Sequence, residues 1–238
     1  MIIIADDGST DGTKEFIERL DLKKTIKIYN NRIGISNQTN SIFLELLKFK
    51  EFVCFKSDDD MIFIKDDWDE LYINAIKSSG YQHLCFDHYL FNKFGENLKN
   101  VLPKPVTKKS ILARTPSMFV KGCFYTMTNS ILKSVGYMDS INFFHGLEHV
   151  DYSMRCARAG FNDPKHIFDA KNSDLFLSYR FPILGTDRSS LEKKIYRANG
   201  NGETETKIKK SILLEPTRIF VDYNLSQQKI KGNIIKIL

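Results

Sequence analysis

With 238 residues, 42% of them apolar, the chain is long enough to bury a core of its own, and no apolar run approaches the roughly 20 residues that cross a bilayer, so a soluble protein is expected. The net charge of +6 suits an anionic ligand, an anionic membrane surface or nucleic acid without choosing among them, and no nucleic-acid partner is expected. Cys54, Cys85, Cys123 and Cys156 have mostly apolar neighbours and no Cys-x-x-Cys spacing, which reads as reduced core thiols. The first residues lack the features of a secretion signal, so a cytoplasmic setting is the expectation.

The chain opens Met1-Ile2-Ile3-Ile4-Ala5-Asp6-Asp7-Gly8-Ser9-Thr10-Asp11, apolar residues running straight into two carboxylates and a glycine turn. This predicts a buried strand that delivers acids to a sheet edge. Thr10 or Asp11 can cap a following helix with Phe16, Ile17 and Leu20 on one face. Thr25-Ile26-Lys27-Ile28-Tyr29 alternates like a short strand. A turn from Asn30 to Ser36 then leads into a helix with Ile35, Ile42, Phe43, Leu46 and Leu47 at helical spacing. Glu51-Phe52-Val53-Cys54-Phe55-Lys56-Ser57 is a third strand and ends in Asp58-Asp59-Asp60. Strand alternating with helix predicts the α/β class, with a mostly parallel sheet flanked by helices.

Farther along, residues 68 to 78 read as a helix and Leu84-Cys85-Phe86 as a strand. Residues 92 to 114 are basic, contain Pro103 and Pro105, and read as a loop over the site. Residues 119 to 127 are apolar and β-prone, Thr128 or Asn129 begins a short helix that Gly136 ends, and residues 148 to 159 form another helix with Gly160 just beyond it. The pattern weakens after Gly185. Asn199-Gly200-Asn201-Gly202 marks a flexible break in a lysine-rich tail, so residues 1–185 are expected as one domain and 186–238 as a basic extension.

Two strands ending in carboxylates place acids at one rim, which is where open α/β sheets bind ligands. Taken singly, the first motif reads equally well as an acidic strand-to-helix cap, and three adjacent acids as a solvated loop. An aspartyl phosphatase is excluded, because Ala5 stands where its nucleophile would be. His145-Gly146-Leu147-Glu148-His149 spells His-x-x-Glu-His, a zinc-peptidase signature that needs an unbroken helix, and Gly146 argues against one.

The two strand ends, the Asn30-Asn31-Arg32-Ile33-Gly34 turn and the block Gly136-Tyr137-Met138-Asp139 through Glu148-His149-Val150-Asp151 to Arg155 together resemble the family 2 glycosyltransferases, whose fold is called GT-A. The resemblance runs from Met1 to about Phe161 and rests on the order and spacing of the blocks. It implies transfer of a sugar from a nucleotide-sugar donor, a UDP-sugar by expectation, to a saccharide acceptor with inversion. Asp6, Asp7 and Ser9 would shape the nucleotide pocket, with Asp7 at the base, and Arg32 would face phosphate or base. Asp58 would hold sugar or ribose, and Asp60, with Asp59 as its alternative, would reach a Mn²⁺ or Mg²⁺ ion. His166 would be a further metal or diphosphate ligand. Glu148 is the first choice of base, with His149 and Asp151 as rivals, His149 standing where the family usually has an acid. Tyr179, Arg180, Arg188, Lys193, Lys194 and Arg197 would close over the diphosphate.

The family's sheet also has one more central strand, ahead of the segment that begins here at Met1. Its absence would leave two strand edges unpaired, to be filled by a partner chain or by Arg218-Ile219-Phe220-Val221-Asp222-Tyr223-Asn224 in permuted order. Family members often build surface polysaccharides, and the basic tail suits peripheral membrane contact. The alternative function is a noncatalytic nucleotide-sugar-binding module.

Overall fold

The structure is a computed structural model that describes residues 1–86, 111–115, 120, 122–141, 143, 147–179 and 219–222. Strand β1 (Ile2–Asp6) leads through helix α1 (Thr13–Arg19) to β2 (Thr25–Tyr29), and α2 (Ile35–Leu46) follows. Next come β3 (Val53–Ser57), β4 (Met61–Phe63), α3 (Trp68–Ser79), β5 (Leu112–Arg114) and β6 (Phe124–Thr128). Helices α4 (Asn129–Val135) and α5 (Glu148–Arg158) precede β7 (Phe168–Ala170), a 3-10 turn (Ser173–Leu175) and β8 (Leu177–Tyr179).

The class is mixed α/β, but the expected parallel bias is corrected. Among the described strands β1–β2 is the parallel pair and β3–β6, β4–β8 and β5–β7 are antiparallel; an isolated parallel bridge joins Gly136 to Val221. Parallel pairing needs a crossover that brings the chain back in the same direction, which α1 provides between β1 and β2. Helix α2 instead carries the chain to β3, whose partner β6 arrives running the other way. Residues 84–86 lie along the second edge of β6: the Thr126 amide donates to the Leu84 carbonyl (2.9 Å) and the Phe86 amide to the Phe124 carbonyl (3.0 Å). The Cys85 amide donates to the Phe168 carbonyl (3.1 Å), which carries the network on to β7. Residues 112–114, expected in a loop, are strand β5, and residues 92–110 of that loop lie outside the described residues.

Because β6 is paired on both edges, all five of its residues are buried, and their alternation separates two cores. Tyr125 and Met127 face Phe43, Leu46, Ile131, Val135, Tyr152 and Cys156 from α2, α4 and α5. Phe124 faces the other way, onto Phe55, Trp68 and Tyr72, with ring centroids 5.0 to 6.2 Å away. Thr128 caps α4 as expected, its hydroxyl accepting from the Ile131 amide. The α1 cap differs, since Gly12 takes that place while Asp11 accepts from the amide and hydroxyl of Thr13. All four cysteines are free, with Cys85, Cys123 and Cys156 buried.

The permuted-strand expectation is corrected for its described part. Residues 219–222 pair with the end of α4: the Val221 amide donates to Val135 O (3.1 Å) and the Tyr137 amide to Val221 O (3.0 Å). The backbone passes so close to Gly136, at φ 75°, that a Cβ there would sit 2.2 Å from Val221 O. Only glycine tolerates both the approach and the left-handed turn. Tyr223 and Asn224 lie outside the described residues. Among those described, β1 pairs only with β2 and β3 only with β6, although Ile3 and Cys54 pack against the same core cluster.

Candidate active site

Asp6, at the end of β1, is buried and turns back on its own loop, its carboxylate accepting from the Gly8 and Ser9 amides at 3.2 Å each. Asp7 reaches across to the next crossover. Its two oxygens accept from the Ile33 amide (2.7 Å) and the Gly34 amide (2.9 Å), closing a turn in which Arg32 is left-handed at φ 53°. Asp7 thus positions the start of α2, and the Arg32 side chain is left exposed.

From α2 the contacts continue to the third block. The buried Ser36 hydroxyl donates to Phe143 O, and the Asn40 side chain exchanges two hydrogen bonds with the Met138 backbone (2.8 and 3.0 Å). Phe143 packs on Val150 and Met154 of α5. The Asn30 turn and the Gly136 block, far apart in sequence, are therefore held together by buried polar contacts that leave few alternative registers.

Helix α5 begins at Glu148, because Leu147 is left-handed at φ 66°. That break removes the continuous helix a His-x-x-Glu-His zinc site requires; His145 itself lies outside the described residues. Glu148 is buried, and its Oε1 lies 3.0 Å from Nδ1 of the half-buried His149. A carboxylate accepts only, so Nδ1 carries the proton in this contact. Asp151 is buried too and accepts from Nε of Arg155 at 2.8 Å, which occupies it in a structural pair.

At the end of β3, the Lys56 ammonium donates to Asp58 Oδ1 and to Gly122 O (2.5 Å). Burial pushes the Asp58 carboxyl above the usual range, Lys56 pulls it back, and Asp60 and Asp59 add to the rise. Asp59 is exposed. Asp60 is half-buried, and its Oδ1 is buried without a hydrogen-bond partner among the described residues. An orphaned hard oxygen beside two further carboxylates fits a divalent cation, since Mg²⁺ is usually held by one or two carboxylates plus substrate phosphates. No group of three His, Cys, Asp or Glu side chains suited to a metal occurs among the described residues, so such an ion would depend on the ligand for the rest of its shell.

Gly122 joins the two acid groups. A Cβ on it would fall 2.6 Å from Cγ of His149, so the imidazole rests directly on the glycine backbone whose carbonyl receives Lys56. Asp58, Lys56, Gly122, His149 and Glu148 form one contiguous line. Sequence reading left out Lys56 and Gly122; the available signal was a lysine inside an otherwise apolar strand, two residues before the acids. His166 is exposed in a turn ahead of β7, its amide donating to Asp163 Oδ1 (2.9 Å), and no hydrogen bond or ion pair joins its ring to Asp58, Asp59 or Asp60. Tyr179 ends β8 beside Met61, while Arg180, Arg188, Lys193, Lys194 and Arg197 lie outside the described residues.

No family model matches the chain. Across 191 residues it is 26% identical to an uncharacterized glycosyltransferase of Acanthamoeba polyphaga mimivirus, an alignment covering 80% of this chain and 70% of that protein. The chain is similar to a glycosyltransferase over most of its length. The aligned share is too long to come from one motif. Among the described residues no helix is long and apolar enough to cross a membrane.

Proposed function

We propose that the protein is a GT-A-type, family 2-like glycosyltransferase that moves a sugar from a nucleotide-sugar donor, a UDP-sugar, to a saccharide acceptor with inversion. The observation that carries this reading is the contact line from Asp58 to Glu148, which brings a strand-end acid group and a helix-start base together. Similarity to a glycosyltransferase supports it.

In this reading the acceptor hydroxyl oxygen bonds to the anomeric carbon as its proton passes to the Glu148 carboxylate. The bond between that carbon and the diphosphate oxygen breaks, and the nucleoside diphosphate leaves with the electron pair. His149, donating from Nδ1, holds Glu148 in place. Asp58 orients the sugar-nucleotide, and Asp60 would hold Mn²⁺ or Mg²⁺. When bound, the cation offsets charge that develops on the diphosphate. Asp6, Asp7 and Ser9 keep the nucleotide loop in shape through its backbone amides.

One observation favours a noncatalytic nucleotide-sugar-binding module instead: among the described residues β1 pairs only with β2 and β3 only with β6. Calorimetry with UDP and Mn²⁺, paired with a donor-hydrolysis assay, separates the two. Turnover that Asp60→Ala abolishes supports the enzyme; UDP binding without turnover supports the module. No binding at all overturns both.

A further inference from the structure

The geometry points to Lys56 as a positioning residue that couples Asp58 to His149 through Gly122, so that the donor-side acid and the acceptor-side pair are set by one ammonium group. Lysine is almost never buried without a partner, yet the Lys56 side chain is only 19% exposed. Two of its three N–H donors are used, on the Asp58 carboxylate and the Gly122 carbonyl. The ammonium also lies over the ring of fully buried Tyr125, 5.7 Å from its centroid, which limits where the stem can go.

What receives Lys56 is itself fixed from both sides. The Asp58 amide donates to Cys123 O at 2.8 Å, extending the β3–β6 ladder past the strand ends and holding the acid loop against residues 122–123. On its other side Gly122 lies against the His149 ring, with no room for even a methyl group. A shift of the ammonium moves the Gly122 carbonyl, and the glycine cannot move without displacing the imidazole that pairs with Glu148. Small displacements thus pass from one acid group to the other through packed atoms. That UDP affinity depends on this lysine rests on the transferase reading, whereas the coupling does not.

The test uses the full chain and Lys56→Met, with the His149 ring signals followed by NMR and UDP affinity in Mn²⁺ followed by calorimetry. The expected result is a clear shift of the His149 ring resonances and at least tenfold weaker UDP binding, with Lys56→Arg recovering most of the affinity. Folded Lys56→Met with unchanged His149 resonances overturns the inference, whatever happens to UDP. Shifted resonances in Lys56→Met, with no UDP binding by the unsubstituted protein, sustain the coupling and overturn the donor reading alone. Should Lys56→Met fail to fold, Lys56→Gln gives the same NMR readout with a polar side chain of similar reach.

Discussion

Asp151 and Arg155 lie one turn apart on α5 and form an ion pair that is almost entirely out of water, with Nε 2.8 Å from Oδ2 and the arginine side chain 0% exposed. Arg155 Nη1 also donates to the carbonyls of Val135 (2.8 Å) and Ile219 (3.3 Å), and Nη2 to that of Tyr137 (2.8 Å). The guanidinium therefore ties α5 to the end of α4 and to residues 219–222. Lysine has no planar fork to reach these acceptors together.

Arg155→Met removes the cation paired with the buried Asp151 carboxylate and is expected to cost about 3–5 kcal/mol. Urea unfolding of the variant checks this. Asp151→Asn keeps a hydrogen-bonding oxygen and should cost less. If its activity falls far more than its stability, Asp151 regains its claim as the base.

His83 is completely buried, with Nδ1 2.8 Å from Thr126 O and Nε2 2.9 Å from the Ser153 hydroxyl. The carbonyl only accepts, so the neutral ring carries its proton on Nδ1 and accepts from Ser153 at Nε2. Burial lowers its pKa from 6.5 to about 4, against a smaller opposing effect of the Thr126 hydrogen bond. The unfolded chain binds the proton more readily, so stability from this group is complete above pH 6.5 and is lost as pH falls toward 4. The loss is on the order of 3 kcal/mol. Denaturant midpoints measured from pH 7 to 4 should show the decline, and His83→Gln should flatten it while being less stable at pH 7.

Gly122→Ala places a methyl group within 2.6 to 2.9 Å of His149 Cγ, Cβ and Nδ1. Overpacking of this kind costs about 1–3 kcal/mol. Displacing the ring should also separate it from Glu148 and reduce transfer activity by tenfold or more. Thermal melts of Gly122→Ala, His149→Ala and the double variant test the cause, since the double variant should regain most of the stability lost to Gly122→Ala.

Tyr152 packs against Phe43, with ring centroids 5.4 Å apart, and carries the Arg155 guanidinium over its face at 5.2 Å. Its hydroxyl is buried with no hydrogen-bond partner among the described residues, and burial pushes the phenol pKa well above the usual value. Tyr152→Phe keeps the ring contacts and removes an unsatisfied polar group. It should leave stability unchanged or raise it by up to about 1 kcal/mol, measurable by chemical denaturation.

Local chemistry made several elements legible before any coordinates. An apolar run ending in acids marks β1 and β3, Thr128 marks the start of α4 and Gly136 its end, and the four cysteines read correctly as free thiols. Each depends on residues close together in the chain. The direction of the sheet was misread for the opposite reason: strand β3 pairs with β6, some 70 residues later, and nothing local reports which way a distant strand will run. The family resemblance puts Asp7 at the nucleotide base, and only the fold shows that its oxygens also accept from the amides of residues 33 and 34.

The sequence by itself determined which carboxylates stand at strand and helix ends, because hydrophobic runs and turn residues act over a few positions. Only the tertiary structure decided that Lys56, Gly122 and His149 touch, and that Asp151 pairs with Arg155 while Asp60 Oδ1 has no hydrogen-bond partner among the described residues. Those choices depend on packing across the interior, where a single glycine can set how closely two acid groups approach.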